Sequence, residues 1–246
     1  MKGWLRSYAL MTSWELRNLR VYLPLALIVQ VLIGGGMVIG FGFLIGDLPP
    51  AAALYLVCGV AVVSMITIGL VLSPQLIAQQ KMAGTYDYLW SLPVPRTTTV
   101  ASNLTVNTII ALPGMAVALL LGAWRYDIAV EPSLTLAPAT LLTLVTAASV
   151  GMALAHAIPN PMVTGLVTQI LVFFILLFSP INFPPERLPD WFAAIHLWLP
   201  FQHSANVIRA GLTADLAADV GFSFAVLGAW ALASWLVTGW VVGRRA

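Results

Sequence analysis

Long stretches without a single charged side chain dominate this sequence. Residues 21–46 carry none, and neither do 48–80, 97–124, 132–185 and 220–243. A helix crossing about 30 Å of hydrocarbon needs about 20 apolar residues. Four of these stretches hold one span each, and 132–185 is long enough for two. The break within it falls at Pro159-Asn160-Pro161. Two prolines in three residues cannot continue a helix, and each pushes its predecessor out of the helical region. The pattern predicts six spanning helices, at roughly 23–46, 51–78, 99–124, 135–158, 162–181 and 219–242.

Residues 191–207 are also uncharged and compete as a seventh span. They contain Pro200, His196, His203, Gln202 and Asn206, which are costly at bilayer depth. The stretch reads better as two short helices broken at Pro200, lying on or dipping into one face. Irregular backbone at that depth must pack on protein or face water.

Composition agrees with a membrane protein. Of 246 residues, 60% are hydrophobic and 8% charged, where a soluble domain has about 25% charged. Eleven basic and nine acidic side chains cannot cover the surface of a soluble enzyme or a nucleic-acid-binding domain. Their distribution sets the orientation. Lys2, Arg6, Arg17, Arg20, Lys81, Arg96, Arg244 and Arg245 share one side under six spans. The other side holds Arg125, Arg187 and Arg209 among Asp47, Asp127, Glu131, Glu186, Asp190, Asp215 and Asp219. The basic side is expected to be cytoplasmic, with both termini there, in the plasma (inner) membrane. Trp124 and Trp240 fall at span ends, as indole rings prefer, whereas Trp230 and Trp235 lie inside a span and read as packing residues.

The first 20 residues do not read as a signal peptide, because the apolar run that follows is too long and no small-x-small site ends it. On a helical wheel Lys2, Arg6, Ser13, Arg17 and Arg20 form a narrow basic arc, with Trp4, Leu5, Tyr8, Met11, Trp14 and Leu19 around the rest. This predicts an interfacial helix over 1–20, its basic face toward anionic headgroups. Glu15 and Asn18 interrupt the pattern.

The loop at 79–96 is the largest on the basic side. Gly84 suits a helix C-terminus and Thr85 a new N-cap, predicting a short helix stopped by Pro93 and Pro95. Asp87 lies in its first turn, where the helix dipole favours a carboxylate. Tyr88, Leu89, Trp90 and Leu92 make it strongly apolar, which fits either a protein partner or a seat on the headgroups.

In this loop Gly84-Thr85, Asp87, Leu89, Ser91, Pro93-Val94 and Arg96 resemble ATP-binding-cassette (ABC) type-2 exporter permeases. The sequence departs from that pattern at Gln79 and Gln80, where acidic residues are common, and in having Asp87 for Glu. The resemblance continues through Ser179-Pro180, Phe183-Pro184, Leu188-Pro189-Asp190-Trp191, Leu199-Pro200-Phe201 and Ile208-Arg209, in the order of that family's external region. It implies a single all-α permease domain over 1–246, with an elbow helix at 1–20, a coupling loop at 79–96 and an external re-entrant segment at 182–210. Gly84, Thr85, Asp87, Tyr88, Leu89, Trp90 and Pro93 would then meet a separate ATPase. Phe183, Pro184, Pro189, Trp191, Pro200 and Arg209 would form an external gate. Two ATPase subunits and a second permease subunit, identical or paralogous, are the implied partners, beside membrane lipids and without nucleic acid. ATP and Mg would sit on the ATPase, because this chain has no phosphate-cradling G-x-x-x-x-G-K-[ST] run. No cofactor, metal or catalytic residue is expected in the chain itself.

Several span residues invite a role. Gly36 and Gly40 form a G-x-x-x-G pair that permits close helix approach, and the resemblance would put it at the subunit interface. Gln30, Gln169 and Asn107 are polar within spans; they suit helix-to-helix hydrogen bonds or a substrate path. Asn103 precedes Asn107 by one helical turn, and Pro113 and Pro74 are expected to kink their helices. Cys58 reads as a small core residue. Arg209 is expected to pair with Asp190, Glu186 or a partner carboxylate. The expected function is export of an amphipathic or hydrophobic substrate such as a drug, lipid or lipid-linked glycan. The competing reading is a stand-alone ion- or proton-coupled transporter, which usually carries charges within its spans.

Overall fold

The structure is a computed structural model that describes residues 2–46, 48–86, 88, 94–213 and 219–243. Ten helices are described: α1 Lys2–Asn18, α2 Leu23–Ile45, α3 Pro50–Thr67, α4 Ser73–Met82, α5 Arg96–Tyr126, α6 Leu136–Ala157, α7 Pro161–Phe178, α8 Asp190–His196, α9 Pro200–Leu212 and α10 Val220–Gly243. A π-helical turn, Ile68–Leu72, joins α3 to α4 without a break. No strand occurs among the described residues.

Six stretches are long and apolar enough to cross a membrane: Leu23–Ile45, Pro50–Met82, Thr97–Tyr126, Leu136–Ala157, Pro161–Phe178 and Val220–Val241. They coincide with the six expected from the charge gaps. The second runs four residues further than expected, past Gln79 and Gln80, because the break comes at Gly84, whose φ of +68° a side chain would strain. The fifth ends earlier, at Phe178, because Pro180 keeps Ser179 extended. Prolines open α2, α3, α7 and α9, where a missing N–H costs nothing. Asn160 caps α7, its side chain accepting from the Met162 amide at 2.9 Å.

Pro50–Met82 forms the axis of the bundle. Its apolar window is 83% buried, against 28% for α2 and 22% for α7 and α10, which leave most of their surface facing outward. Small residues let the backbones close in. At Gly34 a Cβ would run into the Gly114 carbonyl of α5, and at Gly69 one would meet Ala147 of α6 at 2.6 Å. The π turn precedes Pro74, whose ring clashes with the carbonyl four residues back in a regular helix.

The region before α10 contains two short helices divided at Pro200, as the polar content of 191–207 predicts. Helix α9 spans only about 20 Å at 1.5 Å per residue, too short for a bilayer. It is nevertheless almost wholly buried, packed against α3, α6 and α10. Its His203 takes a hydrogen bond at each nitrogen, 2.9 Å from the Leu197 carbonyl and 3.0 Å from the Ser223 hydroxyl. A carbonyl only accepts, so Nε2 carries a proton and donates to Leu197. Trp230 of α10 donates to the Trp198 carbonyl at 2.7 Å. The last span is thereby stitched to the region before it.

Candidate functional site

Three polar constellations stand out, one at each end of the bundle and one within it. The end that carries α1 also carries the 79–96 loop, and the two are tied to the same helices. Trp4 donates to the Thr97 hydroxyl at 3.0 Å, and Tyr8 shares a 2.7 Å hydrogen bond with Thr105, both on α5. Lys81 Nζ donates to the Ala155 and Ile158 carbonyls at 2.5 and 3.0 Å, closing the orphan C-terminus of α6. The Lys81 ammonium also sits 5.7 Å from the centre of the Tyr86 ring, and Tyr86 Oη shares a 2.7 Å hydrogen bond with His156 Nδ1. The start of the loop is thus fastened to α6 by a lysine and a tyrosine. The Thr85 hydroxyl donates back to the Gln80 carbonyl at 3.4 Å, and Tyr88 is 65% exposed. Asp87, Leu89, Trp90 and Pro93, expected to complete the docking helix, lie outside the described residues.

Beside this loop lies a cavity of about 460 Å³, walled by α1, α4, α5, α6 and α10. Glu15 of α1 turns into it. Burial raises the Glu15 carboxyl from 4.5 to about 7, against a smaller opposing pull from the Ser102 hydroxyl. Its Oε2 is buried without a hydrogen-bond partner. Glu15 therefore breaks the amphipathic pattern of 1–20 because it faces protein rather than headgroups. That interruption was the only sign of it in the sequence.

At the opposite end Arg209 of α9 is completely buried. Its guanidinium carbon lies 3.4 Å from the centre of the Tyr55 ring of α3. It donates to the Ile181 carbonyl and, at 3.3 Å, to Asn206 Oδ1, while Nε has no partner. No ion pair with a carboxylate replaces these contacts among the described residues, so the expected pairing with Asp190 or Glu186 is not what holds Arg209. An aromatic face and a carbonyl do so instead. Tyr55 gave no signal in the sequence. Phe183 and Pro184 lie half-buried just before the short 3-10 turn Pro185–Arg187, Pro189 and Trp191 are exposed around the start of α8, and Pro200 is buried at the start of α9. His196, at the end of α8, is buried among Phe174 and Phe192 with neither nitrogen bonded.

The polar span residues separate into inward and outward sets. Gln30 is buried and donates from α2 to the Ser64 carbonyl of α3 at 3.3 Å, with Gly114 closing over it. Asn107 donates to Ser73 at 2.7 Å and to Asn103 at 3.0 Å, and Ser73 donates to Asn103 at 3.0 Å. These two side chains join helices within the bundle. Gln169 instead faces outward, exposed, from α7. Gly36 and Gly40 also meet nothing within 4 Å of where a Cβ would stand. It is Gly34 and Gly35 that pack on α5. Cys58 is buried and reduced. Trp235 is more than packing, since it donates to Ser149 at 3.0 Å. Pro113 lies inside α5, which continues through it.

A bundle of six apolar helices, with its buried polar groups tied to neighbouring helices, defines a multi-pass membrane protein. Residues 9–213 match the family described as ABC-2 type transporter, and the chain belongs to that family. It is accordingly a permease subunit of an ABC transporter, and the family implies association with ABC ATPase subunits. Comparison with curated proteins gave no match.

Proposed function

We propose that this chain is the membrane half of an ATP-driven exporter that moves an amphipathic or hydrophobic substrate out of the cytoplasm. The basic end is cytoplasmic, in the plasma membrane, with both termini there, as the bias of Lys and Arg requires. Two ATPase subunits, which hold ATP and Mg, dock on the 84–93 segment. A second permease subunit, identical or paralogous, lies against the outward faces of α2 and α7, where Gly36, Gly40 and Gln169 are open.

The observation that carries this reading is the tether at the loop. Lys81 and Tyr86 fix its start to α6, and Trp4 and Tyr8 fix α1 to α5 beyond its end. A push on the loop therefore reaches three spans at once, which is what transmission from an ATPase needs. The 182–210 segment, held through Arg209 to α3, forms the gate at the far end. The substrate class follows from spans that offer amides, hydroxyls and aromatic rings but little charge.

Purification of the tagged chain from its native membrane is the test. The reading expects an ABC ATPase in the complex and ATP-dependent transport abolished by Leu89→Asp with Trp90→Asp. A chain that purifies without an ATPase, and transports on a pH gradient without ATP, overturns it in favour of ion-coupled transport.

A further inference from the structure

The cavity beside α1 holds an acid that nothing in the export reading uses. Its walls are mostly apolar and include two indole rings, Trp14 of α1 and Trp235 of α10, with Met11 and Met152 between polar points. Glu15 is the one acidic residue among its described lining residues. One oxygen of that carboxyl is buried without a partner, and no cation acts on it among the described side chains. Lys81 of α4 is engaged by the Ala155 and Ile158 carbonyls and by the Tyr86 ring. His156, the other ionisable lining group besides Tyr86, is bonded to Tyr86.

An uncompensated acid facing a roomy, aromatic-walled space has an obvious complement: a cation with an apolar body. The carboxylate supplies the charge, and indole faces attract cations by their quadrupoles. The volume of about 460 Å³ suits a small organic ion. We propose that this cavity binds an amphipathic organic cation, with Glu15 as its counter-ion and Trp14 and Trp235 as its walls. The site lies within one subunit, and neither α2 nor α7 lines it, so it is separate from the outward faces assigned to subunit pairing. It does not rest on the export reading. Because Tyr86 and Val94 border it, a bound cation touches the loop as well as the spans.

The test is equilibrium binding of radiolabelled tetraphenylphosphonium to the purified full chain in detergent, with tetraphenylborate as an anion of the same shape. The cation should bind saturably and the borate should not. Glu15→Gln, which keeps the shape and removes a buried charge, should weaken cation binding about 10–100-fold while leaving the elution profile intact and the melting temperature no lower. Affinity in the native protein should fall about tenfold per pH unit below 7, and that dependence should shrink in Glu15→Gln. Tetraphenylphosphonium cannot itself titrate, so the pH dependence reports the protein. Added phosphatidylethanolamine separates two sources of the ammonium chemistry: competition with the probe assigns the site to a lipid headgroup, and no competition assigns it to a free cation. Equal binding of cation and borate, or undiminished cation binding in Glu15→Gln, overturns the proposal.

Discussion

The guanidinium of Arg209 lies 3.4 Å from the centre of the Tyr55 ring, deep between α9 and α3. A buried charge without a carboxylate is costly unless its donors are met. Here the ring face, the Ile181 carbonyl and Asn206 meet the two terminal nitrogens and leave Nε unmet. The arginine also closes the junction where α7 gives way to the segment before α8, because Ile181 belongs to that turn. Arg209→Met should leave the Ile181 carbonyl without this donor and cost about 2–3 kcal/mol. Tyr55→Leu should cost about 1–2 kcal/mol through the lost ring contact. A double-mutant cycle read by chemical denaturation in detergent should show the two losses to be strongly non-additive. Additive losses would mean the stacking carries no energy.

The Lys81 and Tyr86 tether gives a prediction about transmission. Tyr86→Phe removes one hydrogen bond, to His156, worth about 1 kcal/mol. The complex should still assemble, but transport per ATP hydrolysed should fall. Lys81→Met, which leaves two carbonyls at the end of α6 unmet, should be the more severe. Transport and ATPase rates measured on the same reconstituted vesicles give the ratio.

The glycines of α2 divide into two kinds. Gly34→Ala places a methyl group against the Gly114 backbone, which cannot move aside, and should destabilise the fold by about 1–3 kcal/mol. Gly36→Ala and Gly40→Ala add methyl groups to open space. They should leave the single subunit as stable as before and weaken only its pairing with a second subunit. Thermal unfolding and the elution volume of the purified protein separate the two effects.

Glu15 makes stability depend on pH. Its folded pKa of about 7 lies above the 4.5 of an unperturbed glutamate, so the folded chain holds the proton more tightly. The unfolded chain binds fewer protons between these values, and stability falls as pH rises from about 4.5 through 7. The loss is at most about 3 kcal/mol. Glu15→Gln should flatten the slope in that window and raise the melting temperature at pH 8. A cation in the cavity would do the same for the native protein.

Legibility followed charge. The six spans, the break at Pro159-Asn160-Pro161 and the short helices around Pro200 were open to view because membrane helices exclude charge and prolines end helices. Buried contacts between distant segments were not. Arg209 sits in an otherwise uncharged stretch of polar residues, and nothing local says that its partner is a ring on α3 rather than a nearby Asp190. Gln30 and Gln169 look alike in sequence, yet one is enclosed by α3 and α5 while the other faces outward, because only packing decides which side of a helix is covered. The tether was hidden for the same reason: Lys81 reads as a loop charge until the end of α6 is placed beside it.

The π-helical turn at Ile68–Leu72 acts as a phase-setter for everything beyond it. One extra residue in a turn rotates the following helix by about 100° relative to a regular continuation. The side chains whose aim depends on that offset are Ser73, which meets Asn103 and Asn107, and Lys81, which caps α6. Forcing a regular helix at unchanged length would swing both away from their partners together, whereas deleting one residue between 68 and 72 would straighten the helix and leave their aim unchanged. The irregular turn thus keeps the two ends of one span in different rotational registers, and the wiring of the α1 end depends on the mismatch.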